Sequence, residues 1–341
     1  MKQLFVTGGA GFIGSACVRL VLAELPGVSI TNYDALTYAG NLDNLQGLDT
    51  QRHRFVRGDI TDRAAVSAAL APGTDAIVNF AAESHVDRSI ASADEFLRTN
   101  ILGTQVLLDA ARQHGVRRFL QVSTDEVMGS LPEDDNAFFT EQSPFEPNSP
   151  YAASKAAAEH LVRAAHHTFG LDTVTTRCGN NYGPRQFPEK LIPLLLANAL
   201  RNESIPVYGD GKNVRDWIYV DDHCRAILCV LQKGRPGGVY NIGARNARRN
   251  LEVVESILKA LGKPLSLIRY VKDRPGHDRR YALDPTVIEK ELGWRPAETW
   301  ESGLAKTIRW YQDNGAWVER ARSGAYREFY AKQYGVEVGK S

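Results

Sequence analysis

Short apolar runs alternate with stretches of helical spacing over the first 120 residues. Residues 4–7, 29–33, 53–57, 76–80 and 118–123 read as strands, and helical spacing fills about 12–24, 62–70 and 95–114 between them. Strands apolar on both faces and separated by helices predict βαβ units on a parallel sheet, with right-handed crossovers. Pro150 then precedes an alanine-rich helix over 151–169, and 171–176 reads as another strand.

The texture changes after about residue 176. Pro and Gly become frequent at Gly183-Pro184, Pro188, Pro193, Pro206, Gly209 and Gly211, with helices expected near 190–201 and 251–261. Interrupted elements of this kind suit a smaller domain that holds a ligand against the first. An apolar helix over 220–231 and a strand over 239–242 are candidates to return to the first domain. The expected division is 1–175, with segments near 215–245 returning to it, then 176–315, then a tail over 316–341. From Arg320 the only suggestion of periodicity is at 326–334.

Length and composition agree with that division. The 341 residues suit two domains. With 41 Lys+Arg against 40 Asp+Glu, the net charge is +1. That balance argues against a nucleic-acid partner held by a basic face, and no apolar run reaches the roughly 18 residues of a membrane span. A small anionic ligand stays open, because a few clustered cations vanish in a neutral total. Cys17, Cys178, Cys224 and Cys229 form no CxxC pair and no zinc spacing. They read as reduced thiols, and the start of the chain does not read as a signal peptide. A cytoplasmic protein without a metal is the expectation.

The first strand runs into Thr7-Gly8-Gly9-Ala10-Gly11-Phe12-Ile13-Gly14, and the first helix opens there. Gly8, Gly11 and Gly14 allow a tight turn, close approach to a pyrophosphate, and close packing of helix on sheet. The helix N-terminus then offers free N–H groups to phosphates. Asp34 follows Gly14 by 20 residues, at the end of the second strand. An acid there accepts ribose hydroxyls and repels a 2′-phosphate, so NAD is the expected cofactor. Asp59-Ile60 reads equally as an adenine contact or as a helix cap, with Asp62 a rival for the cap. The fold class is therefore α/β: a Rossmann-type doubly wound parallel sheet with a smaller mixed α/β C-terminal substrate domain.

Tyr151 and Lys155 form YxxxK on one helix face. A Lys ammonium one turn from a phenol favours the phenolate, which then serves as a base for a sugar hydroxyl. The preceding strand ends in Ser123-Thr124-Asp125-Glu126. Thr124 is placed to hydrogen-bond a reacting carbonyl. Two carboxyls directly after it are superfluous for a simple oxidation, whereas a dehydration needs one acid and one base. A solvated acidic turn is the plain alternative.

Residues 1 to about 315 resemble the extended short-chain dehydrogenase/reductases, the NAD-dependent epimerase/dehydratase family, and within them the 4,6-dehydratases of dTDP-glucose. The similarity lies in TGGAGFIG (7–14), YDALTYAGN (33–41), AAESHVDRSI (81–90), STDEV (123–127), SPYAASKAAAEHLVRA (149–164), NNYGP (180–184), FPEKLIPL (187–194), RDWIYVDDH (215–223) and DRPGHDRRYA (273–282). Met128 departs from the pattern, which usually has Tyr there, and that removes a phenol expected near the active site.

The resemblance implies that Tyr151 takes the proton of the glucose 4-hydroxyl, Glu126 removes the C5 proton and Asp125 protonates the departing 6-hydroxyl. It implies NAD contacts at Gly8, Gly11, Phe12, Ile13, Gly14, Asp34, Leu36, Thr37, Asp59, Ile60, Ala81, Ala82, Ser84, Thr99, Tyr151, Lys155 and Asn181. It implies nucleotide-sugar contacts at His85, Thr124, Asp125, Glu126, Asn180, Lys190, Leu191, Pro206, Tyr208, Arg215, Asn250, Arg274 and His277. Lys190, Arg215 and Arg274 are cations suited to a diphosphate. A homodimer, formed through helices near 100–114 and 151–169, is implied as well. UDP-glucose 4,6-dehydration, another epimerase or dehydratase chemistry on the same fold, and a non-catalytic nucleotide sensor stand as the alternatives.

Overall fold

Seven parallel strands form the central sheet in this computed structural model, which describes residues 1–133 and 137–322. Along the chain, β1 (Gln3–Thr7) feeds α1 (Phe12–Glu24), then β2 (Ser29–Asp34), β3 (His53–Arg57), α2 (Arg63–Ala69) and β4 (Ala76–Asn79). There follow α3 (Val86–Ala91), α4 (Asp94–Phe96), a π-helical stretch Leu97–Gly103 and α5 (Thr104–Gln113), then β5 (Arg118–Thr124), α6 (Pro150–Phe169) and β6 (Thr173–Cys178). The second part holds β7 (Asn180–Tyr182), α7 (Leu191–Leu200), β8 (Ile205–Tyr208), β9 (Val214–Tyr219), α8 (Val220–Lys233), β10 (Val239–Ile242), β11 (Ala247–Arg249), α9 (Asn250–Ala260) and β12 (Ile268–Val271). It closes with α10 (Thr286–Leu292), α11 (Trp300–Asp313) and α12 (Gly315–Ala321).

The strand order is β10-β6-β5-β4-β1-β2-β3. The order reverses at β1 and β4, so a crevice opens beyond their carboxyl ends. Register brings the functional strand ends to one edge: Thr7 pairs with Tyr33 and with Asn79, and Thr124 pairs with Cys178. Thr7 Oγ1 donates to Asn79 Oδ1 at 2.6 Å, and Asn79 Nδ2 donates to Gln121 Oε1 at 2.9 Å. Buried polar side chains there satisfy one another at little cost. Apolar residues of α1 and α8 cover one face of the sheet, and those of α2, α5 and α6 cover the other.

A second core holds the later part of the chain together. It gathers Leu195, Ile257, Trp217, Tyr219, Trp300 and Trp317 beside a three-stranded sheet, β11-β9-β7, and a parallel pair, β12-β8. α8 packs on α1, and β10 pairs with β6 in the large sheet.

Four sequence expectations shift. The helix expected over 95–114 is interrupted by the π-helical stretch, where Asn100 turns inward. Its Oδ1 accepts from the Glu83 N–H at 2.9 Å, and its Nδ2 donates to Ser154 Oγ at 2.8 Å. Gly103 lies so close to Ile60 that a Cβ would meet Ile60 Cδ1 at 2.4 Å. The strand expected over 171–176 forms two residues later, which carries Cys178 level with Thr124 at the strand end. Within 215–245, residues 215–219 belong to β9 and pair with β7 and β11 instead of the large sheet, because Trp217 and Tyr219 bury their rings in the second core. Residues 316–321, read as tail, lie in α12, which buries Trp317, Val318 and Ala321 in that same core. The 326–334 segment lies outside the described residues.

Candidate active site

A cleft of about 460 Å³ runs from the glycine turn of β1–α1 across the strand ends to the second core. At its first end the backbone is packed as tightly as a pyrophosphate cradle requires. Gly8 has φ +69°, and a Cβ there would lie 2.6 Å from the Ala81 nitrogen. A Cβ on Gly14 would meet the Gly8 carbonyl oxygen at 2.2 Å. Gly11 caps α1 without a side-chain acceptor, so its first-turn N–H groups are available to an anion.

Asp34 stands at the end of β2 with its carboxylate held by backbone. Oδ2 accepts from the Ala10 N–H at 2.9 Å and Oδ1 from the Leu36 N–H at 2.8 Å. Burial raises its pKa, partly offset by those two bonds. Leu36, which has a positive φ, serves Asp34 through its backbone and is the one expected cofactor contact that does not line the cleft. Asp62 is the cap of α2, accepting from the Ala65 N–H. Asp59 accepts from the Thr61 N–H and lines the cleft with Ile60. The turn, the free amides and the oriented acid fit a dinucleotide.

Past the end of β5, Thr124 Oγ1 accepts from the Glu126 N–H at 3.3 Å and fixes a short 3₁₀ turn over Asp125–Met128. Burial, and then the charge of Glu126, raise the Asp125 pKa well above the usual carboxylate value. Burial also raises Glu126, but Arg274, Lys190 and Arg215 oppose that shift. One carboxyl is thus biased to hold a proton and its neighbour is surrounded by cations. Those three cations, read from the sequence as diphosphate ligands, also act on Glu126.

Tyr151 sits in the first turn of α6, with Ser149 as its cap and Pro150 at the first helical position. Both features favour a helix start at that point. The expected lowering of the Tyr151 pKa is not produced by these side chains. Burial raises it well above 10, and Glu126 and Cys178 add to the rise. Lys155 Nζ donates to the Val122 carbonyl at 2.7 Å, and burial lowers its own pKa to about 8. Desolvation therefore sets the direction for both groups.

The second part supplies the far wall. Arg215 is buried, donates to the Val214 and Asp278 carbonyls, and stacks 4.2 Å from the Tyr281 ring centre. Lys190 Nζ donates to the Ser84 carbonyl at 2.7 Å. His277 Nδ1 meets Asp273 Oδ1 at 2.6 Å, and burial lowers the pKa of the ring to about 4. Burial lowers His85 further, to about 3, so both rings are neutral. His223 Nδ1 meets Asn181 Oδ1 at 2.8 Å and holds that amide at the cleft wall.

Apart from Leu36, every expected cofactor and substrate residue lines the same cleft. Sequence reasoning missed Asp87, Glu189 and Tyr281, which line it too. Asp87 and Glu189 stood inside matched motifs, but a lone acid has no evident task beside a diphosphate. Burial raises Glu189 to about 7, near Tyr38 and Arg88. Met128 does not line the cleft. It is 2% exposed and touches the Arg177 guanidinium with its sulfur at 3.6 Å, so position 128 belongs to core packing and not to the cleft wall. No cluster of metal-ligating side chains occurs among the described residues.

The sequence profile of the GDP-mannose 4,6 dehydratase family matches residues 5–307. A dTDP-glucose 4,6-dehydratase of Xanthomonas campestris pv. campestris is 53% identical, over 96% of this chain and 98% of its own length. One from Streptomyces niveus is 54% identical, over 94% and 96%. Among solved structures, the dTDP-glucose 4,6-dehydratase DesIV of Streptomyces venezuelae, with NAD bound, superposes with a TM-score of 0.91 at 53% identity, covering 94% of this chain and 99% of that one. A UDP-glucose 4-epimerase of Thermus thermophilus in complex with NAD superposes at 0.85 and 32% identity, covering 92% and 99%.

Proposed function

The chain belongs to the GDP-mannose 4,6 dehydratase family, beside its dTDP-glucose 4,6-dehydratases, and from that premise we propose that it converts dTDP-glucose to dTDP-4-keto-6-deoxyglucose and water with NAD as recycled cofactor. The observation that carries the reading is the adjacent carboxyl pair, Asp125 held toward the protonated state and Glu126 facing three cations, on the wall that also bears Tyr151. An acid and a base at one strand end suit the removal of water.

The residues divide the work as follows. The glycine turn, the α1 amides and Asp34 bind the dinucleotide, and Lys155 orients its nicotinamide ribose. Bound NAD would supply, as NAD⁺, a hydride acceptor for C4 and a positive ring that favours the Tyr151 phenolate, and, once reduced to NADH, a hydride donor for C6. Tyr151 accepts the proton of the 4-hydroxyl, with Thr124 holding the oxygen. Glu126 then takes the C5 proton, made acidic by the 4-keto group, while Asp125 gives its proton to the 6-hydroxyl as the C6–O bond breaks. Glu126 returns a proton to C5 at the end. The net change is loss of one water, which makes the enzyme a hydro-lyase.

A cytoplasmic homodimer belongs to the same reading. No described helix is long and apolar enough to cross a membrane, and all four cysteines are free. Ile90, Leu97, Leu102 and Phe169 stay exposed on α3, the π-helical stretch and the end of α6. Of these, Leu102 and Phe169 fall in the helices near 100–114 and 151–169 through which the dimer is expected, which supports the reading. Light scattering of the purified protein measures the dimer directly.

The test is incubation with dTDP-, UDP-, GDP- and CDP-glucose, followed by mass spectrometry. Loss of one water, about 18 mass units, from dTDP-glucose first among the four is the expected result. Preference for UDP-glucose transfers the activity to that nucleotide, and NAD binding without water loss from any of the four overturns the reading.

A further inference from the structure

Asp87 lies in the first turn of α3, 9% exposed, where that helix packs against α6. Its two carboxylate oxygens reach across the cleft to two different segments of the second part. Oδ1 accepts from Arg274 Nη1 at 3.0 Å, and Oδ2 accepts from the Tyr208 hydroxyl at 2.9 Å. Tyr208 ends β8, and Arg274 follows β12. Three distant stretches of chain are therefore tied by one side chain at the wall of the site.

We propose that Asp87 is a positioning residue for nucleotide binding, orienting Arg274 toward the substrate's diphosphate and Tyr208 toward its nucleoside. The inference rests on the reading of the cleft as a nucleotide-sugar site. A buried acid beside a diphosphate opposes binding unless its charge is already engaged. Here both oxygens are engaged, and by donors from the substrate side. Burial alone would raise the Asp87 pKa, but the Arg274 charge and the hydrogen bonds from Tyr208 and Arg274 hold it below the usual value, so the charge is retained. The bond to Nη1 fixes the guanidinium plane. Arg274 Nε is buried and has no hydrogen-bond partner among the described residues, which leaves a donor for an anionic oxygen. Asp87 is also anchored from behind, because His85 caps α3 through its ring nitrogen.

Calorimetry with dTDP, and steady-state kinetics with dTDP-glucose, on wild type, D87N, Y208F and the double variant test this. D87N is expected to raise the dTDP Kd and the KM by about 10- to 100-fold, the loss of charge-assisted hydrogen bonds. Its kcat should change by less than about threefold and its NAD affinity should not change, a split that a general loss of packing would not give. Y208F should weaken dTDP binding far less in the D87N background than in wild type. If D87N does not fold, Y208F and R274Q test the same link, and their effects should combine less than multiplicatively. Wild-type dTDP affinity in D87N, a fall in kcat with unchanged KM, or independent multiplication of the effects overturns the role. If wild type neither binds dTDP nor dehydrates dTDP-glucose, the functional reading fails and this inference falls with it.

Discussion

Thr124 Oγ1 donates a hydrogen bond to Asp125 Oδ1 at 3.2 Å, while Asp125 Oδ2 is buried with no hydrogen-bond partner among the described residues. A single weak donor does not offset the burial of a carboxylate, so Asp125 holds its proton above the usual range. Dehydration then needs Asp125 protonated and Glu126 ionised. The rate should fall on the acid side as Glu126 gains a proton, and on the alkaline side as Asp125 loses one. Asp125→Asn should lower kcat by about 10²- to 10⁴-fold and remove the alkaline limb. A pH–rate profile of the variant with both wild-type limbs would sink the assignment.

Gly14→Ala should damage the dinucleotide end. The added methyl would lie 2.2 Å from the Gly8 carbonyl oxygen and 2.9 Å from the Gly9 Cα, and backbone cannot step aside cheaply. An overpacking cost of about 1–3 kcal/mol in stability is expected, with weaker NAD binding. Gly27→Ala, where nothing lies within 4 Å, is the matched control and should bind NAD normally. Thermal melting with and without NAD compares the two.

The Arg177–Glu159 pair is buried behind the site, with Nη2 to Oε2 at 2.9 Å and Met128 Sδ against the guanidinium. Glu159→Gln leaves a buried cation without its counter-charge and should cost about 3–5 kcal/mol in urea unfolding. Met128→Tyr should change the melting temperature but leave the KM for dTDP-glucose within about twofold, because residue 128 faces this core and not the cleft. A changed nucleotide preference in that variant would contradict the packing described.

His223 is fully buried and its pKa falls to about 3 from the ordinary 6.5, through burial. A histidine depressed in the folded state contributes its full stability above about pH 6.5. Below that the unfolded chain binds a proton that the folded chain refuses, down to about pH 3. Wild type should therefore lose up to about 1.4 kcal/mol per pH unit relative to His223→Gln across that window. Denaturant titrations of both proteins at pH 7.5 and 5 compare the slopes; a constant difference between them refutes the linkage.

Much of the fold was legible in the sequence because its signals are local. Strands such as Ala76–Asn79 are short apolar runs, and the turn at Gly8 and Gly14 needs glycine for contacts made within a few residues or at the next strand. YxxxK and the acid pair after Thr124 are likewise local patterns, and their residues line the same cleft. The interruption of the long helix at Leu97–Gly103 was not legible, since Asn100 turns inward for partners at Glu83 and Ser154. Nor was the pairing of β9, which follows the burial of aromatic rings contributed from both ends of the second part.

Spacing along single segments was enough to predict the doubly wound sheet that the chain forms, and to single out the candidate dinucleotide turn and the candidate reacting residues. What each charge does there came from the assembled chain. Folding buried both Asp125 and Glu126, let the Glu126 charge raise Asp125 further while three cations from other segments oppose the rise of Glu126, kept Met128 off the cleft wall, and brought Asp87 to Tyr208 and Arg274, 121 and 187 residues away. Desolvation and charge pairing depend on neighbours in space, and those neighbours come together only when the second part closes over the strand ends.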